Sequence, residues 1–412
     1  MHTKKEEQLC GDMIQSISLP TEESLSSESL QTSGRTIPVL TAPAGFDREE
    51  AWLLANLVRV AYNDYERFDH QDNLANLLQI GDTLWLPAEA SHSIAANFHL
   101  MHSQPDRPIN EAEKQIVAEA KAFKIMSIFT YLSFNLDAPP RPEVDRFGFA
   151  LERNLSDKHK EVYFIFRGTM EPSEWFNDFQ YRQIPFLKTS HYQRADLGEI
   201  CMGFNKIYTD YRAGLQIDKP VLNKFSRWID EEIRTRIINE NPDICQAHTM
   251  SIQETVKQSL EQALHSSDQE ISIHVAGHSL GAALATICAL HASILCEEHH
   301  RKCPINLYTF ASPRVGNPQF ARCCNQRLKA FRIANSEDVV PGIPPATLRV
   351  IGEEMSPDHH VDAVRKALAA LTGGVSNDVF EHVGVPVYFT TQLGEISSNH
   401  NLGHTYCQPL SQ

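Results

Sequence analysis

The 412-residue chain carries 37 Lys and Arg against 52 Asp and Glu, a formal charge of -15, and 42% of its residues are apolar and 22% charged. Composition this close to ordinary globular usage allows a large buried core and excludes a chain disordered throughout. The negative charge repels phosphate backbones and anionic surfaces at long range, which excludes nucleic acid as an expected partner and favours a neutral or zwitterionic one; the sequence shows no basic patch that would override it.

Residues 1–40 are rich in Ser, Thr, Glu and Gln and read as a disordered N-terminal tail, leaving one domain with insertions over 41–412. Lys4 and Lys5 are followed by Glu6, Glu7 and Gln8 where a signal peptide needs an unbroken apolar stretch. Nine cysteines, an odd number without C-x-x-C spacing, suit reduced thiols. The expected location is the cytoplasm, or export without a cleavable signal peptide.

From Phe46 onward, Trp52, Leu53, Ala55, Leu57, Val60 and Ala61 recur at helical spacing. A second helix is expected over roughly 111–134, ended by Pro139, Pro140 and Pro142. Residues 162–166 are a continuous apolar run, the pattern of a strand covered on both faces. Leu222, Phe225, Trp228, Ile229, Ile233 and Ile237 mark one face of a further helix, and 256–264 suggests another. Strands follow at 271–275, 305–310, 330–333 and 385–389. Strands separated by helical segments predict an α/β fold with a mostly parallel central sheet and helices on both faces. The most apolar stretch, 275–295, contains His278, Ser279, Gly281 and His291, so it reads as a strand end plus a helix and no transmembrane segment is expected. Insertions stand around 88–110, 238–252 and 352–378.

Gly277-His278-Ser279-Leu280-Gly281 is a G-x-S-x-G sequence, a pattern that arises by chance in roughly one chain in ten of this length. Its context raises it: a strand enters directly and an Ala-rich helix leaves directly. A sharp strand-to-helix turn strains the nucleophile's backbone and lifts its hydroxyl above the sheet, and residues two positions away must then be small. Gly277 and Gly281 meet that need, His278 reads as a positioning or surface residue, and Leu280 offers its amide beside the helix N-terminus to a developing oxyanion. A second oxyanion donor is expected from the loop after an earlier strand, where Thr169 closes Phe166-Arg167-Gly168-Thr169.

The acid and then the histidine should follow the serine. Asp338 fits, just after the 330–333 strand, with Glu337, Asp358, Asp362 and Asp378 as rivals. His382, His400 and His404 lie beyond it; His382 precedes the last strand and is poorly placed, whereas His400 lies in a loop at its far end. The pairs His299-His300 and His359-His360 lack a recognisable ligand set, so neither a metal nor another cofactor is expected.

Phe166-Arg167-Gly168-Thr169 with Trp175 and Asp178, Gly203-Phe204, Gly277 to Gly281, Phe310-Ala311-Ser312-Pro313-Arg314-Val315-Gly316-Asn317, Asp338-Val339-Val340-Pro341 and His382-Val383-Gly384 stand in the order of the class 3 lipase family, which the chain closely resembles over roughly 50–410. The resemblance implies an α/β-hydrolase fold, a triad of Ser279, Asp338 and a C-terminal histidine, and Thr169 and Leu280 as oxyanion donors. The family pattern sets its histidine before an apolar residue and a nearby aromatic one; His400-Asn401-Leu402 with Tyr406 is similar, but Tyr406 falls about one residue late, which leaves His404 open. Fungal-type members carry a short lid after the oxyanion strand, here Met170 to Asn177, where Trp175 and Phe176 are equally suited to a lipid surface or the core.

The expected activity is lipid ester hydrolysis, as an acylglycerol lipase acting at a lipid–water interface. Phospholipase A1, lysophospholipase or another esterase is the alternative on the same triad, and an inactive binding or scaffold protein the non-enzymatic one.

Overall fold

The computed structural model describes residues 39–69, 77–86, 101–102, 121–135, 141–169, 181–189, 193–209, 250–265, 269–346 and 379–411, all within the unit Pro38–Gln412. In chain order the elements are α1 (Arg48–Asp69), β1 (Thr83–Leu86), β2 (Met101–His102), β3 (Lys121–Asn135), β4 (Arg141–Ser156), β5 (His159–Phe166), β6 (Gln183–Phe186) and β7 (Arg194–Cys201). Then come α2 (Met202–Thr209), α3 (Ile252–His265), β8 (Glu270–His278), α4 (Leu280–Glu298), β9 (Ile305–Phe310), α5 (Pro318–Arg327), β10 (Lys329–Asn335), β11 (Val385–Phe389) and α6 (Ile396–His400). A nine-stranded sheet runs in the order β11-β10-β9-β8-β5-β4-β3-β1-β2.

Strands β5, β8, β9, β10 and β11 pair in parallel, and these are the runs expected from the sequence. Their continuous apolar character has the expected cause, because both sheet faces are covered. In β5, Val162, Phe164 and Phe166 enter one core with α3 and α4, while Tyr163 and Ile165 enter the other with α1. Every residue of α4 from Leu280 to Cys296 is buried, as an all-round apolar helix requires in a protein core. Among the described residues α4 alone is long and apolar enough to cross a bilayer, and 94% of that window is buried inside the fold.

The expected helix over 111–134 is corrected where the structure describes it: 121–135 is strand β3, paired antiparallel with β4 from Lys124↔Glu152 to Asn135↔Arg141. Phe123, Ile125, Ser127 and Phe129 are buried while Ala122 and Lys124 are exposed, a period of two. The β-branched and aromatic run Ile125 to Tyr131 suits a pleated surface, and a long partner strand settles the choice against helix. The expected helix through Leu222 to Ile237 lies outside the described residues, as do most of the three insertions and all but the end of the 1–40 tail.

Candidate active site

Strand β8 ends at His278 and α4 begins at Leu280, so Ser279 alone makes the turn. Its backbone sits at φ 57°, ψ -125°, a region that non-glycine residues occupy only under constraint. The constraint is visible on both sides. A Cβ on Gly277 would strike the carbonyl of Gly281, and one on Gly281 would strike that of Arg167, so strand, turn and helix meet at backbone contact. The Ser279 amide donates to the Phe310 carbonyl on β9 at 3.0 Å, which fixes the turn over the sheet.

Strand β5 delivers Arg167, Gly168 and Thr169 beside this turn. The Arg167 guanidinium is 3.5 Å from the centre of the Tyr65 ring and donates to the carbonyls of Arg146 and Gly168 at 2.7 and 2.5 Å. A Cβ on Gly168 would lie 2.8 Å from the Ser279 Cβ, so the segment passes directly against the serine. The Thr169 hydroxyl oxygen is buried and has no hydrogen-bond partner among the described residues. Leu280 opens α4, whose first amides have no partners within the helix.

On the other side, Asp338 follows β10 and His400 ends α6. His400 Nδ1 is 2.8 Å from Asp338 Oδ2, with both residues buried. The carboxylate can only accept, so Nδ1 carries the proton and Nε2 is left with its lone pair. That Nε2 is buried and unpartnered among the described residues, so the bond to Ser279 is not made in this structure. Asp338 is fully engaged: Oδ1 accepts the Val340 amide at 2.9 Å, and Oδ2 also accepts the Tyr406 hydroxyl at 2.6 Å. Burial, and then the neighbouring Asp338 charge, push the Tyr406 phenol well above its usual range, which keeps it a donor.

Tyr62, which the sequence does not single out, and His278, expected as a positioning or surface residue and found buried, close the arrangement. The Tyr62 hydroxyl on α1 accepts the Gly168 amide at 2.9 Å and donates to His278 Nδ1 at 2.8 Å. His278 Nε2 in turn donates to the His400 carbonyl at 2.8 Å, and the two imidazole rings are 4.6 Å apart. Burial, followed by the nearby His400, holds His278 well below the usual imidazole range, so it stays neutral and keeps one donor and one acceptor. Of the expected site residues, Ser279, Thr169, Leu280, Gly277, His278, Gly281, Asp338 and His400 are brought together. His404 is exposed and its amide bonds to Asn401, and Glu337 meets Gln392 at the surface. Met170, Trp175 and Phe176, together with Asp358, Asp362 and Asp378, lie outside the described residues.

Residues 163–348, from within β5 past Asp338, match the family model described as Lipase (class 3). Thr169, Ser279 and Asp338 stand inside the matched segment, whereas Tyr62 and His400 reach it from either side. The chain is similar to phospholipase A1-II 1 of Oryza sativa subsp. japonica, 30% identical over 201 residues that cover 48% of this chain and 43% of that protein. It is also similar to phospholipase A1-IIgamma of Arabidopsis thaliana, 27% identical over 208 residues, covering 48% and 42%. The chain therefore spans less than half the length of these relatives. Among solved structures, mono- and diacylglycerol lipase from Aspergillus oryzae superposes with a TM-score of 0.33 at 18% identity, over 73% of this chain and 74% of that one.

Proposed function

We propose that the chain hydrolyses carboxylic esters of lipids through an acyl-enzyme on Ser279. The observation that carries this reading is a serine on a strained strand-to-helix turn whose preceding residue, His278, packs 4.6 Å from the His400 ring, an imidazole held at Nδ1 by Asp338 and free at Nε2. His400 Nε2 takes the Ser279 proton as Oγ attacks the ester carbonyl, and the amides of Thr169 and Leu280 hold the oxyanion. The unpartnered Thr169 hydroxyl is a further donor for the same charge. One such donor is typically worth about 3 kcal/mol of barrier. His400 then protonates the leaving alcohol, a water takes the alcohol's place, and the same imidazole activates it while Asp338 stabilises the imidazolium.

Acylglycerols are the first substrate class in this reading, and the formal charge of -15 favours a neutral or zwitterionic substrate over an anionic one. Phospholipase A1 action is the second reading, supported by the names of the rice and Arabidopsis relatives. Both use the same chemistry, and mass analysis of products from a diacylglycerol and a phosphatidylcholine separates them. Ser279→Ala is expected to lower turnover on the better substrate on the order of a millionfold. A variant that hydrolyses it as fast as the parent overturns the mechanism.

A further inference from the structure

His400 ends α6, a helix of five residues that is too short to hold its own place in water. Part of what fixes it is a side chain outside the triad. Asn335 closes β10 with 2% of its surface exposed. Its Nδ2 donates to the carbonyls of Thr391 at 2.9 Å and Asn399 at 3.1 Å. Its Oδ1 accepts the amides of Thr391 at 2.9 Å and Glu337 at 3.4 Å, so both donors and both lone pairs of the side-chain amide are used. The main chain of the same residue continues the pattern. Its amide donates to the Tyr406 hydroxyl at 3.2 Å, and its carbonyl accepts the Asp338 amide at 3.1 Å.

These bonds run to the segments of both triad partners. Asn399 directly precedes His400, Glu337 and Asp338 share the turn after β10, and the Tyr406 hydroxyl donates onward to Asp338 Oδ2 at 2.6 Å. Asn399 tightens the junction, because its Oδ1 accepts the Leu393 amide at 2.8 Å and its Nδ2 donates to Gln392 Oε1 at 2.9 Å. The 2.8 Å bond between His400 Nδ1 and Asp338 Oδ2 therefore joins two segments that meet at one amide. We propose that Asn335 is a positioning residue for the triad, setting the His400 imidazole against Asp338. In the hydrolase reading, on which this assignment rests, a displacement of about 1 Å costs on the order of a hundredfold in rate. An amide is required because two carbonyls and two main-chain amides converge on it. A carboxylate of the same shape offers acceptors alone, so the Thr391 and Asn399 carbonyls would face an oxygen and α6 would lose its tie to β10.

The test compares the full chain with Asn335→Asp and with the milder Asn335→Ser, which keeps one hydroxyl and adds no charge. Turnover of a short-chain nitrophenyl ester is counted per site titrated with a fluorophosphonate, so that unfolded molecules drop out. In Asn335→Asp, kcat is expected to fall on the order of a hundredfold with KM within about twofold of the parent's, and Asn335→Ser to fall less. The Nδ1 proton of His400, assigned in the proton NMR spectrum by its loss in His400→Ala, is expected to shift or vanish in both variants, whereas a side chain serving the fold alone leaves it in place. An unchanged kcat per site, or an unmoved His400 resonance, in either folded variant overturns the proposal. Parent protein that takes no label overturns the hydrolase reading instead, and the resonance then decides: displaced, it supports the positioning role, and unmoved, it overturns it.

Discussion

Tyr62 holds two loops with one hydroxyl, accepting the Gly168 amide and donating to His278 Nδ1. Through His278 the same connection reaches the backbone of His400, so the proposed oxyanion donors and the proposed base are fixed to each other by a phenol on α1. Removing that hydroxyl leaves a buried donor and a buried acceptor unmade, at about 1–3 kcal/mol each. Tyr62→Phe is therefore expected to lower kcat on a short-chain ester roughly ten- to hundredfold while KM stays close to the parent's. Steady-state kinetics check it, and an unchanged kcat removes Tyr62 from the positioning network. The sequence offers no local sign of this residue, because its neighbours on α1 show only packing periodicity and His278 is 216 positions away. The places of Ser279 and Asp338 are legible for the opposite reason: a strained turn demands small flanking residues, and the order of strands limits where the proposed acid can stand.

At the scale of elements, α1 is tied to the antiparallel half of the sheet by a buried ion pair, Arg146 on β4 with Asp64 at 3.2 Å. Asp64 also accepts the Leu78 amide at 2.9 Å, and Arg146 donates to the Leu78 carbonyl at 2.7 Å, so helix, strand and turn share one polar knot. Asp64→Ala leaves the guanidinium buried without its carboxylate and is expected to cost about 3–5 kcal/mol, read from the denaturant midpoint. Pairing it with Arg146→Met should recover most of that loss; a single variant as stable as the parent would show that the knot is not structural. This half of the sheet is also where the sequence misleads. The 121–135 segment has apolar residues at both helical and alternating spacings, and only its pairing with β4, through a partner strand of 16 residues, selects the strand. The parallel strands are short apolar runs, and two of them, β8 and β9, lead into the helices α4 and α5.

For the whole molecule, several buried imidazoles set an acid limit on stability. Burial pushes His291 down to about 3 and His382 to about 3, and holds His278 well below its ordinary value. The unfolded chain takes up these protons near pH 6.5, whereas the folded chain refuses them until far lower, so stability is complete above about 6.5 and drains away as pH falls toward about 3. Each group contributes a slope of up to about 1.4 kcal/mol per pH unit across that window. Urea midpoints should stay level from about pH 7.5 to about pH 6.5 and fall from there to about pH 4.5, and His291→Phe should flatten the fall; a level profile throughout in the parent contradicts the assignment of neutral buried histidines.

Fluorophosphonate modification followed by intact-mass and peptide analysis reads the proposed nucleophile itself. One adduct on the peptide carrying Ser279, lost in Ser279→Ala and strongly slowed in His400→Ala, is the expected result. Folded parent protein that stays unmodified, or that takes the adduct elsewhere while Ser279 remains free, contradicts the account.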